Sequence, residues 1–413
     1  MKKNPVDLEK QYLIQTYARS PIVIERGKGC WVWDAKGKKY LDFVAGLGVN
    51  ALGHGHPRIL KALREQAARA IHVSNLYYHP YQGLLAAELA KITGMDRAFF
   101  CNSGTEAVEG AIKLARAHGG RITKDKFEVV ALDNSFHGRT IGALSATGQP
   151  KYRKDFEPLV PGFHFVRFND IQDLEAHVNE RTCAVIVEPV QGEGGIFELT
   201  REFLEAAREL TRRHQAVLIC DEIQCGLGRT GRYLASQEYG LKPDVVLLAK
   251  PLAGGLPLGA FLAREEVAAS LAAGMHGSTF GGGPLACRVA LEFLAVLREE
   301  KILANVRRVG QYFYKRLLAL QKKHPLIRAV RGKGLMLAID LDQPSRPFVE
   351  QALARGFIIN STHDTVLRFL PPLNIETKHV DLACGILDSL FTESSREAAK
   401  PVGEAAPVSA VRA

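Results

Sequence analysis

The sequence predicts an α/β fold: a large domain whose mainly parallel sheet is covered by helices, beside a smaller α/β domain built from both chain ends. Three observations predict it. From about residue 96 to 263, short apolar or β-branched runs alternate with amphipathic stretches, the order of a parallel sheet covered on both faces. The first ~55 residues instead carry short strand-like runs between Gly-rich turns, as in a small antiparallel meander. Strand-like runs then return after a long helical region near the C-terminus, and 413 residues suffice for two or three domains.

In chain order, residues 7–17 read as a helix, then 22–25, 30–33 and 39–43 as the meander, and 58–70 as a helix. Strands follow at 98–101, 129–132, 183–187, 216–220 and 245–249, with helices at 106–117 and 202–213 between them. A helical region spans 285–321, strands return at 335–339, 357–360 and 366–369, and a last helix covers 378–391. This gives a small domain of residues 1–59 and 300–391, its two ends packed together, and a large domain of 60–299. Residues 392–413, rich in Ala, Glu, Ser and Pro without apolar periodicity, read as a disordered tail.

Composition narrows the function classes. With 46% hydrophobic and 24% charged residues the chain is an ordinary globular one. Its longest apolar runs are strand-length, far short of the ~20 residues a membrane span needs. The N-terminus shows no apolar signal region, which makes the cytoplasm the expected location. Seven scattered cysteines without a CxxC pair read as small buried hydrophobes. The net charge of +10 comes without a dense basic run interleaved with aromatics, so it welcomes anionic small molecules rather than nucleic acid.

In such sheets ligands sit beyond the carboxyl ends of the strands. Ser103, Gly104 and Thr105 follow one strand and open a helix, where free N–H groups suit a phosphate, although taken alone they read more readily as a plain N-cap. Asp221 ends another strand, and by itself reads as a loop acid. Lys250 ends a third, followed by Pro251, which biases it towards extended backbone. A partly desolvated lysine there has the lowered pKa that imine chemistry requires. Phe136 follows a fourth strand and can supply a stacking ring. Together they meet the needs of pyridoxal 5′-phosphate: a lysine to hold it, a carboxylate to keep its ring nitrogen protonated, and a phosphate cup.

Two patterns are set aside. Residues 226–231, Gly-Leu-Gly-Arg-Thr-Gly, match the dinucleotide fingerprint GxGxxG, but five residues separate them from the preceding strand and no long helix follows. His54 and His56 lack a nearby carboxylate or cysteine partner in sequence, and read as a turn before a helix rather than a metal site.

Over nearly the whole chain to about Phe391, the sequence resembles the class III pyridoxal-phosphate aminotransferases of fold type I, and within them the acetylornithine branch of arginine biosynthesis. The segments that carry the resemblance are Gly53-His54-Gly55-His56-Pro57, Ser103-Gly104-Thr105-Glu106-Ala107, Phe136-His137-Gly138-Arg139-Thr140, Glu188-Pro189-Val190-Gln191-Gly192-Glu193, Asp221-Glu222-Ile223-Gln224 and Leu367-Arg368-Phe369-Leu370-Pro371-Pro372. The resemblance implies that Lys250 holds the cofactor, Asp221 partners its ring nitrogen, Gln224 lies near its phenolic oxygen, and Ser103, Gly104 and Thr105 bind its phosphate. It also implies a homodimer in which Ser278 and Thr279 complete the neighbouring site. Arg139 is implied to hold the α-carboxylate of an acylated substrate and the distal carboxylate of glutamate, Arg368 glutamate's α-carboxylate, and Glu193 to pair with Arg368 when that position is empty.

Two departures touch the cofactor loops: Gly283 stands where the family usually has Asn, and Pro251 where a small residue is common. The implied reaction is transamination of N-acetylornithine with 2-oxoglutarate, with Tyr17 and residues 75–78 shaping the substrate pocket. Ornithine, succinylated amines, 4-aminobutyrate and carrier-bound lysine remain alternative substrates, and a non-catalytic basic binding protein an alternative of another class.

Overall fold

The computed structural model describes residues 4–398. Strands β1 (Ile24–Lys28), β2 (Trp31–Asp34) and β3 (Lys39–Asp42) form an antiparallel meander. Then come β4 (Arg97–Cys101), β5 (Glu128–Leu132), β6 (Phe163–Val166) and β7 (Thr182–Val187), followed by a short ribbon of β8 (Val190–Gln191) and β9 (Phe197–Glu198). Next are β10 (Val217–Asp221), β11 (Val245–Leu248) and β12 (Gly259–Ala263). The C-terminal part adds β13 (Ile327–Lys333), β14 (Met336–Leu341), β15 (Phe357–Ile358), β16 (Asn360–Thr362) and β17 (Val366–Phe369).

The central sheet has seven strands in the order β4-β12-β11-β10-β7-β5-β6. It is parallel except for β12, which runs antiparallel to both of its neighbours. Strands β5, β7, β10 and β11 are buried along their whole length, which is why they read as unbroken apolar runs. From β5 the chain crosses to β6 on one side, then returns to place β7 on the other side of β5. The loops leaving β5 and β7 therefore diverge, and a crevice opens at the carboxyl ends of the strands.

The two chain ends meet through β15, which lies parallel to β3 with Phe357 opposite Leu41. Phe43 stacks edge-on against Phe313 and Phe357, and Phe313 against Phe369. Backbone bonds from Leu370 N to Phe43 O (2.7 Å) and from Leu373 N to Ala51 O (2.6 Å) tie the segment after β17 to the N-terminal part.

Several expectations need correction. The first helix is Pro5–Tyr12, not 7–17: Leu13 turns extended, and the Gln15 amide donates to the Glu9 and Leu13 carbonyls, taking up acceptors at the helix end. The helical region after residue 283 divides into Pro284–Glu299 and Ile302–Lys323, broken at Lys301, whose φ of 53° is left-handed. Strands β6 and β12 were not foreseen. The last helix runs Thr377–Ala398, so residues 392–398 are helical rather than tail. Thr392 and Ser395 hydroxyls donate to carbonyls one turn back, and Arg355 pairs with Glu393. The rest of the expected tail, 399–413, lies outside the described residues. Among the described residues no helix is long and apolar enough to cross a membrane.

The helix Gly104–Ile122 lies against the sheet with Ala107, Val108, Ala111, Leu114 and Ala115 buried. At Gly119 the approach is so close that a Cβ would stand 2.3 Å from the Lys126 carbonyl oxygen, whereas at Gly120 it would meet nothing. Helix propensity alone favours Ala at both positions by roughly 0.5–1 kcal/mol. We therefore expect Gly120→Ala to stabilise by about that amount and Gly119→Ala to destabilise by about 1–3 kcal/mol, as read by urea unfolding at fixed protein and cofactor concentration.

Candidate active site

The side chains that line the candidate site sit at or beyond the carboxyl ends of central strands. After β4, Ser103 caps the helix Gly104–Ile122, its hydroxyl accepting from Glu106 N at 3.3 Å. The N–H groups at the start of this helix face the crevice at its positive end. A Cβ at Gly104 would meet Ile223 at 2.9 Å, so only glycine lets the helix start approach the loop after β10 this closely. After β5, Phe136 and His137 enter; after β7, Glu188 and Glu193; at the end of β10, Asp221, followed by Gln224; after β11, Lys250.

These residues line one cavity of about 450 Å³. Nine expected site residues are among its walls: Ser103, Gly104, Thr105, Phe136, Arg139, Glu193, Asp221, Gln224 and Lys250. Lys250 is not extended, as its neighbour Pro251 led us to expect; it has a φ of 40° and begins a short 3-10 turn closed by Leu252 N to Ala249 O. A non-glycine residue held there stores strain of about 1–3 kcal/mol, maintained by the surrounding packing.

The cavity floor is a charge cluster. His137 Nδ1 donates to Asp221 Oδ2 at 2.8 Å, and Asp221 Oδ1 accepts from Ile223 N at 3.0 Å. Burial disfavours the imidazolium, but the bond to Asp221 and that carboxylate's charge outweigh it and raise the His137 pKa. Glu188 accepts from the backbone N–H of Phe136 and Gly192; burial, against the attraction of His137, pushes its carboxyl up to about 7. Burial likewise pushes the Lys250 ammonium below its ordinary value, against the pull of Glu193 and Asp221.

The two arginines differ sharply. Arg368, on β17, is 1% exposed and donates Nη1 to Glu193 Oε1 (2.6 Å), the Gly192 carbonyl (3.0 Å) and Gln224 Oε1 (3.3 Å). Burial raises the Glu193 pKa, but Arg368 outweighs it and the net shift is downward. Arg139 is exposed at the rim, with its guanidinium 4.1 Å from the centre of the Tyr152 ring and 5.5 Å from that of Phe136. No carboxylate among the described residues pairs with it, so its donors face solvent.

Four expected residues do not line this cavity. Arg368 reaches it only through Glu193 and Gln224. Thr279 and Ser278 line a separate cavity of about 300 Å³ that shares Asn102 with the first, and Asn102 Nδ2 donates to Ser278 Oγ at 3.3 Å. Tyr17 is 72% exposed on the extended N-terminal segment. The sequence analysis missed His137 and Glu188 as site residues. Their only sequence signal was position just past the ends of β5 and β7, since their partners lie 84 and 52 residues away. His54 and His56, set aside as metal ligands, lie beside Asp42 and Glu300 respectively.

A family model described as aminotransferase class-III matches residues 13–391. The chain is 48% identical to the acetylornithine aminotransferase of Methanocaldococcus jannaschii, covering 95% of this chain and 99% of the relative. It is 50% identical to that of Aquifex aeolicus, covering 92% and 100%. An ornithine aminotransferase structure from Toxoplasma gondii, described with partial occupancy of pyridoxal phosphate at its active site, superposes with a TM-score of 0.92 at 36% identity, covering 97% and 96%. With the match running through the meander, the central sheet and the C-terminal strands, the chain belongs to the class III aminotransferases.

Proposed function

We propose that the protein transfers the terminal amine of N-acetylornithine to 2-oxoglutarate, giving N-acetylglutamate 5-semialdehyde and glutamate, with pyridoxal 5′-phosphate as cofactor. The observation that carries the reading is the pair of unequal arginines, one free at the rim and one masked by a carboxylate. The relatives named above as acetylornithine aminotransferases support the same substrate.

The residues fit the cofactor. The same cavity is lined by a lowered-pKa lysine, a carboxylate backed by a buried imidazole, a glycine-opened helix N-terminus and Phe136. Lys250 Nζ would hold the group, Asp221 its ring nitrogen, Gln224 its phenolic oxygen, Ser103, Gly104 and Thr105 its phosphate, and Phe136 its face. Pyridoxal phosphate supplies an electron sink for the charge left when a proton leaves the substrate's amine-bearing carbon.

The protein's own groups do the rest. Lys250 Nζ, whose burial favours the neutral amine, would take that proton and return it. N-acetylornithine places its α-carboxylate on Arg139 and leaves the Arg368–Glu193 pair closed. Glutamate places its distal carboxylate on Arg139 and its α-carboxylate on Arg368, displacing Glu193. The closed pair keeps Arg368 from standing as a lone buried cation between these events.

A homodimer belongs to this reading, with Ser278 and Thr279 reaching the neighbouring site. Leu76, Tyr77 and Phe280 are all exposed beside the loop that carries Thr279, which Asn75 Nδ2 holds at the Ser278 and Gly281 carbonyls. Gly283 caps the following helix by its backbone alone, where a family Asn would carry a side chain. The reading includes the division into residues 1–59 with 300–391 and 60–299, supported by the β3–β15 pairing. It also includes a cytoplasmic location, in keeping with seven buried, unpaired cysteines.

The deciding measurement is the visible absorption of the cofactor-loaded enzyme. N-acetylornithine should bleach it at least about tenfold faster than ornithine; an equal or faster response to ornithine would reassign the substrate. Lys250→Ala should retain cofactor and lose about a thousandfold or more in turnover, and near-native turnover would sink its role. Arg139→Ala should weaken both half-reactions by about 10–100-fold in kcat/KM, as expected for a lost charge-assisted bidentate contact. Glu193→Ala should chiefly shift the ratio between the half-reactions, as measured by single-turnover kinetics with each amine donor.

A further inference from the structure

The segment Gly226–Gly231, set aside as a nucleotide fingerprint, holds a buried cation that the reaction does not use. Arg229 is 2% exposed, and its Nη1 donates to the backbone carbonyls of Leu335 (3.0 Å) and Pro371 (2.5 Å). Its Nη2 has no partner and lies 3.8 Å from where a Cβ of Gly48 would stand, next to the cavity-lining Val49. Burial alone pushes its pKa down to about 9, with no carboxylate near enough to oppose the shift. A buried charge without a counter-charge is costly. Only the carbonyl dipoles repay it, and they belong to segments that must then stay where the guanidinium holds them.

Those segments frame one strand. Leu335 immediately precedes β14, Pro371 lies two residues beyond β17, and β14 pairs with β17 so that Ala338 stands opposite Arg368. The hold is two-sided, because Leu335 N donates back to the Arg229 carbonyl at 3.0 Å. At Gly334, φ is 61° and a Cβ would lie 2.6 Å from the Arg229 carbonyl oxygen, so the turn before β14 sits directly on the Arg229 backbone. Arg307 Nη1, donating to the Gly231 carbonyl at 2.5 Å, anchors the loop from its other end.

We infer that Arg229 is a positioning residue for Arg368: its Nη1 bridges the start of β14 and the exit of β17, and so sets where the Arg368 guanidinium meets Glu193 or an incoming α-carboxylate. The inference rests on the proposed role of Arg368 in binding glutamate. It accounts for an arginine rather than a lysine, since the lysine ammonium ends one bond short of the Nη1 position that bridges the two carbonyls. It also accounts for Gly228 and Gly231, where a Cβ would meet Leu303, Leu373 and Arg307, so that the loop packs closely against the helix Ile302–Lys323 and the segment after β17.

The test compares Arg229→Lys with Arg229→Met in the cofactor-loaded enzyme, the second removing the buried charge at similar volume so that folding is retained. Single-turnover kinetics are measured with glutamate and, separately, with N-acetylornithine, and the thermal midpoint is recorded alongside. Both variants should lose about tenfold or more in kcat/KM for glutamate and less than about threefold for N-acetylornithine, whose carboxylate does not use Arg368. A proportional fall in both half-reactions, no change in either, or failure of both variants to fold overturns the inference. Arg368→Gln separates the two layers. A native glutamate half-reaction in that variant overturns the role of Arg368 itself, whereas a crippled one beside proportional losses at Arg229 overturns only the positioning role.

Discussion

The hydrogen bond from His137 to Asp221 is the interaction around which the cavity is organised. A carboxylate at the end of a buried strand is expensive to keep charged, and Asp221 lies where the sheet excludes water on both faces. The imidazole beside it lies at 2.8 Å, and its own pKa is raised by that contact. Around this pair the remaining charges alternate: Glu188 near His137, and Lys250 near Asp221 and Glu193. Each depends on its neighbour for its charge state. Removing His137 would disturb Lys250 as well as Asp221, because the lysine's amine is held between burial, which favours the neutral form, and the surrounding carboxylates, which favour the cation.

That arrangement explains how much of the molecule could be read from its sequence. The central strands β5, β7, β10 and β11 were legible because a strand buried on both faces leaves an unbroken apolar run, and the rule that ligands gather past such runs singled out Asp221 and Lys250. What failed has a common cause. Helix ends and left-handed positions such as Lys301, and the strained φ of Lys250, are decided by tertiary packing that overrides local preference. Strand β12 runs against its neighbours after a Gly-Gly-Leu-Pro turn, and so breaks the strand-helix alternation that located the others. His137 and Glu188 stood inside recognised segments, but their roles lie in partners 84 and 52 residues away, which no periodicity reports.

The same contrast separates the two glycine-rich elements. The Ser103-Gly104-Thr105 turn reads from sequence as either a cap or a phosphate cup, and in the fold the Ser103 side chain accepts the Glu106 N–H while all three residues line the cavity. The turn at 226–231 resembles a phosphate loop by pattern alone. In the fold it packs against β14 and a helix, with Arg229 pointing at carbonyls rather than outward. Glycine spacing records close approach of backbone, and only the surroundings decide whether the thing approached is a ligand or another part of the chain.

In the proposed reading, the unequal arginines let one cavity accept two different amine donors. Arg139, exposed and stacked on Tyr152, carries its charge in solvent at little cost and is ready for any carboxylate that reaches the rim. Arg368 is costly to leave unpaired, because a guanidinium that is 1% exposed has given up its water. Glu193 fills that need, and Gln224 bridges the pair by donating to the glutamate while accepting from the arginine. A substrate with a second carboxylate must therefore compete with an internal ligand held at 2.6 Å, gaining only the difference between the two contacts, while a substrate with a single carboxylate leaves the pair untouched. On the proposed roles, dual specificity follows from a small free-energy difference across one exchangeable ion pair, and that difference depends on the position of the β17 backbone as much as on the chemistry of the side chains it carries.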